Sequence, residues 1–241
     1  MFFLSYTLTP HGRYPTQMAQ AVECLRYILG SRNPRDIYLG GDSAGGNLVL
    51  AVMSHMAYPH PHPKIEPLPA TEPLAGAILI SPWTWLQTQF LGRVIDARGD
   101  IVGAPSASRW VPAYVDEADK DNYTDISPAS HEWYREAGRK VNKVLVLAGE
   151  HEVLLPIIQD FVDKLKVKRR SEVLGRLKKT WLTMLSSLQT VHPSVEYFEG
   201  HQECHVSMIY NRLVLSKTAT EKGKRVISWL AERINEPGPL E

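Results

Sequence analysis

The chain has 241 residues, 44% of them apolar, and a formal net charge of +1. That apolar fraction supports a sizeable core and excludes wholesale disorder, and the near-neutral balance excludes a general pull toward nucleic acid or a membrane surface. Cys24 and Cys204, the only cysteines, fit neither a disulfide framework nor a metal-ligand spacing, so a reducing, cytoplasmic setting is expected, with Cys24 as a small buried hydrophobe in a helix.

Phe2 to Leu8 reads as a short buried strand, apolar and aromatic-rich, ended by Thr9-Pro10. Met1-Phe2-Phe3-Leu4 carries no basic flank or cleavage site and is too short to span a bilayer, which argues against a signal peptide. Thr16 is expected to cap a helix to about Leu29, with Met18, Val22, Leu25 and Ile28 at helical spacing and Gly30 as its stop. Asp36 to Gly40 is the next strand, and Ser43 to about Met56 the next helix. Tyr58 to Pro73 is proline-rich and reads as a surface loop; its His60 and His62 have no further ligand nearby, so no metal is expected there.

Ala75 to Ile80 is a continuous apolar run, as in a strand buried on both faces. Trp83 to Asp125 reads as an irregular, cap-like excursion whose Trp83, Trp85, Phe90, Trp110 and Tyr114 either line a substrate pocket or pack the cap. Val144 to Leu147 is a further buried strand, followed by helix from about Leu154. Residues from about 164 to 190 form a basic helical insertion, read as a solvated helix packed on the domain in preference to a membrane-surface helix. Val195 to Phe198 is the last strand and Ser216 to Ile234 the last helix. Alternating strands and helices predict one α/β domain over residues 1–241, a mostly parallel sheet with helices on both faces and functional groups at the carboxyl ends of the strands.

Gly41-Asp42-Ser43-Ala44-Gly45 matches G-x-S-x-G, between an apolar strand and a helical pattern. The chemistry explains the pattern: a serine projected from a sharp strand-to-helix turn needs small neighbours, and the Ala44 N–H at the helix start can meet a developing oxyanion. A serine nucleophile needs a base, and the base an orienting acid, in the chain order Ser, Asp/Glu, His. Glu150-His151-Glu152 follows the Val144–Leu147 strand, and His201 and His205 follow the Val195–Phe198 strand.

These residues carry a resemblance. Gly41-Asp42-Ser43-Ala44-Gly45-Gly46-Asn47 closely resembles the nucleophile motif of the hormone-sensitive-lipase-like (GDxGG) carboxylesterases of the α/β-hydrolase fold. Ser5-Tyr6-Thr7-Leu8-Thr9-Pro10 resembles the family's D-Y-R-L-A-P strand, and Thr124 to Pro128 resembles its segment before the acid strand. Gly149 to Leu154 resembles G-x-x-D-x-L, and Gly200 to Val206 resembles the closing histidine loop. The resemblance implies a catalytic set of Ser43, Glu152 and His205, with Ala44 as oxyanion donor, His201 as the alternative base, Asp42 as a structural hydrogen-bonding group and no cofactor or metal.

The chain departs from the family in three ways: the acid is glutamate where aspartate is usual, the 164–190 insertion is extra, and no H-G-G-G oxyanion loop occurs. The family places that loop and its strand upstream of Phe2, with the strand lying between those expected at Phe2–Leu8 and Asp36–Gly40. An N-terminally short fold is therefore expected, either gapped or with those two strands forced together, and at best a slow esterase. The implied function is hydrolysis of a carboxylic ester of a small or medium apolar molecule, as in the tailoring of a secondary metabolite. Acyl transfer on the same residues, a non-catalytic binding protein on this scaffold and a truncated product stand as alternatives. The implied partner is the small-molecule ester, with no nucleic acid and no transmembrane segment; the sequence leaves the oligomeric state open.

Overall fold

A computed structural model describes residues 1–69, 72–86, 100–116, 140–166, 194–214 and 219–234. Four strands form one parallel sheet in the order β1 (Tyr38–Asp42), β2 (Leu74–Ile80), β3 (Val141–Gly149), β4 (Ser194–Gly200). The register pairs Gly40 with Ile78, Ile78 with Leu145, and Leu147 with Phe198. The helices are α1 (Thr16–Leu29), α2 (Ala44–Ala57), α3 (Ala104–Tyr114), α4 (Leu155–Lys166), α5 (Ser207–Leu213) and α6 (Glu221–Ile234).

Residue alternation sorts β2 and β3 onto two cores. Ala77, Leu79, Val144, Val146 and Ala148 face a large core with Met18 and Val22 of α1, Leu50 and Met53 of α2, and Ile158 and Phe161 of α4. Ile78, Leu145 and Leu147 face the other way, onto Trp229 of α6. Strands buried on both faces carry unbroken apolar runs, which is why L-A-G-A-I-L-I and V-L-V-L-A read so clearly. Trp229 donates its indole N–H to Glu196 at 2.9 Å and lies beneath the Arg233 guanidinium, so the second core is sealed by a charged rim.

Several expectations need correction. Phe2–Leu8 is not a strand. Thr7 is held by α1 instead: its N–H donates to Gln20 Oε1, and Gln17 Nε2 donates to the Thr7 and Gly12 carbonyls, each at 2.9 Å. β1 is consequently the edge of the described sheet, and Phe2 and Phe3 are exposed. Thr16 does not cap α1; Pro15 occupies that place, with no side-chain hydrogen bond. β1 starts two residues later than expected because Pro34–Asp36 forms a 3-10 turn whose Asn33 side chain accepts the Arg35 N–H. The stretch read as irregular contains α3. Cys24 is only half-buried. The short helix α5 was not anticipated, and α6 begins at Glu221 because the Glu203 carboxylate receives the N–H groups of Glu221 and Lys222 there. Thr124–Pro128 and most of the 164–190 segment lie outside the described residues.

Candidate active site

The site is built on three strand ends. β1 runs into Ser43, whose backbone is held at φ 52° and ψ −115°, a region that a serine adopts only under constraint. The constraint is visible. Ser43 N–H donates to the Ile80 carbonyl at 2.9 Å, and its own carbonyl accepts from Trp83 at 3.1 Å and Asn47 at 3.0 Å. Asn47 Nδ2 in turn holds the Trp83 carbonyl at 2.7 Å. The flanking glycines are steric requirements: a Cβ at Gly46 would lie 2.9 Å from Pro82 Cβ, and one at Gly41 would run into the Gly45 backbone. α2 starts at Ala44, so the Ala44 N–H belongs to the first helical turn, which has no intrahelical acceptor.

Glu152 follows β3 and His205 follows β4. His205 Nε2 lies 2.8 Å from Ser43 Oγ, and His205 Nδ1 lies 3.3 Å from Glu152 Oε2. Glu152 and His205 are buried at 1% and 2% exposure, so their mutual attraction is little screened. The chain thus brings Ser43, His205 and Glu152 together in one hydrogen-bonded line. His201 is not part of it: its exposed ring pairs with Glu150 at 2.7 Å. His151 is a loop neighbour whose N–H donates to the Glu203 carbonyl, and Asp42 is exposed. Asp42 nonetheless acts on its surroundings, since burial first and the Asp42 charge second raise the Tyr6 hydroxyl above its ordinary range.

Behind the histidine lies a polar cluster that sequence reading missed. Lys222 is fully buried, and its Nζ donates to the Cys204 carbonyl at 2.8 Å and to Ser81 Oγ at 3.4 Å. It faces Glu203 Oε2 at 3.8 Å and also feels Glu152, but burial dominates and lowers its pKa. Ser81 Oγ accepts the Val206 N–H at 3.3 Å. Asp100 Oδ1 accepts the His205 N–H at 2.9 Å, and its Oδ2 accepts the Val153 N–H at 2.7 Å. No motif could have flagged Lys222 or Glu203, which read as ordinary surface charges. Ser81 gave a faint signal, a serine between an apolar strand and a proline, and it has φ 47°.

A cavity of about 400 Å³ opens beside Ser43, lined among others by Tyr6, Leu48, Trp83, Trp110 and Tyr114. α3, the helix missed in the expected cap, forms one wall, and the N-terminal segment forms another. Arg13 clamps the two together, donating from Nη2 to the Pro112 carbonyl at 2.8 Å and from Nε to the Ala113 carbonyl at 3.1 Å.

The profile of a family described as alpha/beta hydrolase fold matches residues 1–181. The chain belongs to the alpha/beta-hydrolase fold family. Among solved structures, an esterase from the bacterial hormone-sensitive lipase family superposes with a TM-score of 0.63 at 21% identity, covering 95% of this chain and 63% of that one. A hormone-sensitive lipase from a metagenome library gives 0.61 at 23% identity, covering 95% and 65%. An esterase/lipase from an uncultured bacterium gives 0.60 at 22% identity, covering 95% and 64%. The chain therefore spans less than two thirds of the length of these hydrolases, and at such identities the likeness is one of fold. No curated protein matches the sequence. Among the described residues, none of the helices is long and apolar enough to cross a membrane, and no group of three or more His, Cys, Asp or Glu could hold a metal ion.

Proposed function

We propose that the chain is a serine hydrolase acting on carboxylic esters of small or medium apolar molecules. The observation that carries this reading is the 2.8 Å contact of His205 Nε2 with Ser43 Oγ on a strained elbow, with Glu152 on the far ring nitrogen. Ser43 Oγ attacks the ester carbonyl carbon while His205 Nε2 takes the hydroxyl proton. Buried Glu152 keeps the ring in the correct tautomer and stabilises the imidazolium. The carbonyl oxygen becomes an oxyanion that the Ala44 N–H receives. Collapse of the tetrahedral intermediate breaks the ester C–O bond, and His205 protonates the departing alkoxide. Water then attacks the acyl-Ser43 ester with His205 again as base, releasing the acid and restoring the serine.

The aromatic-walled cavity of about 400 Å³ supports an apolar acyl or alcohol group, whose burial supplies binding without further polar partners. A single domain spanning residues 1–241 and a reducing, cytoplasmic setting belong to the same reading, the latter supported by the two free cysteines. The test is steady-state hydrolysis of p-nitrophenyl acetate and butyrate by the purified chain, with Ser43→Ala as the blank. Turnover above the blank is expected, and no difference from the blank refutes the hydrolase reading.

A further inference from the structure

Glu152 and His205 sit on two separate loops, one after β3 and one after β4, and something must hold those loops in mutual register. Backbone bonds join them at their starts, from Glu150 N–H to the Gly200 carbonyl at 3.0 Å and from His151 N–H to the Glu203 carbonyl at 2.9 Å, but neither bond involves Glu152 or His205. Val153 and His205 both lie outside helix and strand, and both turn their backbone N–H toward a third segment. The acceptor in both cases is Asp100, which precedes α3 by four residues. One carboxylate oxygen, Oδ2, takes the Val153 N–H at 2.7 Å, one residue beyond Glu152. The other, Oδ1, takes the N–H of His205 itself at 2.9 Å, and also the Asp100 side chain's own neighbour, Ile101 N–H, at 2.8 Å. Bonds from N–H groups to a carboxylate are of the stronger, charge-assisted kind.

We propose that Asp100 is a positioning residue for the hydrolysis assigned above, a carboxylate staple that sets the spacing between the Glu152 loop and the His205 loop. The proposal rests on the hydrolase reading. Asp100 touches no reacting atom; it acts through the backbone of the two residues that do the proton work. Only a carboxylate suits the place. It offers two acceptor oxygens to donors arriving from two loops, whereas an asparagine offers one and turns N–H groups toward the other donor. The other side-chain supports of the histidine loop stop short of His205 itself: Lys222 holds the Cys204 carbonyl, Ser81 receives the Val206 N–H, and the Glu150 carboxylate receives the Gln202 N–H at 2.8 Å. Asp100 bonds both the residue that follows Glu152 and His205 itself. Because α3 also walls the cavity beside Ser43, the staple ties that wall to the catalytic groups as well.

The test compares wild type, Asp100→Asn and Asp100→Ala, each as the full 241-residue chain, in hydrolysis of p-nitrophenyl butyrate and in the rate of Ser43 labelling by a fluorophosphonate. A misplacement of about 1 Å at a catalytic group costs on the order of a hundredfold, so Asp100→Ala is expected to lower kcat and the labelling rate by about 100-fold. Asp100→Asn, keeping one acceptor, is expected to fall by about 10-fold, with KM within about twofold of wild type in both. That graded loss in kcat alone is not what general loosening of the fold would give. Wild-type kcat and labelling in both variants, or a loss confined to KM, overturns the proposal while leaving the hydrolase reading intact. A wild-type chain that neither turns over nor labels at Ser43 overturns both. If the variants do not fold, the amides of Val153 and His205 are followed by hydrogen exchange in the wild-type protein: slow exchange supports the staple, and exchange as fast as in an open loop overturns it.

Discussion

Gly149→Ala is a steric perturbation with a readable consequence. Gly149 ends β3 and pairs with Gly200 at the end of β4, where the acid and histidine loops diverge. A Cβ there would lie 2.8 Å from the Glu203 carbonyl carbon and 2.9 Å from the Cys204 carbonyl oxygen, and closer still to the Glu203 carbonyl oxygen. These are backbone atoms, so no side chain can swing aside. Non-bonded carbons rest about 3.5–4.0 Å apart, and the loop carrying His205 must therefore withdraw by roughly 0.7 Å or more. That displacement is a large part of the ~1 Å misplacement that costs about a hundredfold in rate. Turnover is expected to fall by about 10- to 100-fold, with stability lower by about 1–3 kcal/mol from overpacking. The assay pairs p-nitrophenyl butyrate kinetics with urea unfolding. Gly40→Ala is the control, since its Cβ would meet nothing within 4 Å. Wild-type turnover and stability in Gly149→Ala would refute the argument that loop spacing at this glycine positions His205.

Lys222→Met, in the same assay, should lower stability by about 3–5 kcal/mol, because Glu203 would be left beneath the histidine loop without its countercharge; an unchanged unfolding midpoint would show that the pair contributes nothing. Trp110→Ala removes part of the cavity wall beside Ser43, where its ring sits 6.3 Å from that of Trp83. It should reduce kcat/KM for p-nitrophenyl hexanoate by about tenfold, corresponding to the ~1–1.5 kcal/mol of an aromatic contact, and for the acetate by far less. Equal losses on both esters would remove α3 from the acyl-binding surface.

Legibility in the sequence followed burial. β2 and β3, buried on both faces, declared themselves as unbroken apolar runs, and α1 and α2 as regular apolar spacing. The elbow was legible because its chemistry dictates small residues around a serine in an unusual conformation; strand order pointed to the loops after β3 and β4, and the family resemblance singled out Glu152 and His205 on them. Phe2–Leu8 misled because its apolar content matches a strand while the backbone bonds of its Thr7 are supplied by Gln17 and Gln20 of α1, a tertiary effect with no local sign. α3 was hidden by Pro112 within it and by a glycine and proline at its start. Asp100, Lys222 and Glu203 were invisible for a different reason: long-range hydrogen bonds and burial give a charged residue its role, and neither has a sequence period.

The central claim is that Ser43 is a nucleophile activated by His205, and covalent capture tests it most directly. The wild-type chain, Ser43→Ala and His205→Gln are incubated with a fluorophosphonate, and the adduct is located by peptide mass spectrometry. The geometry predicts one adduct per wild-type chain, on Ser43, no adduct in Ser43→Ala, and labelling slowed by at least about a thousandfold in His205→Gln, where the proton acceptor is gone. Absence of the adduct from folded wild-type protein, or labelling of His205→Gln at the wild-type rate, would contradict it.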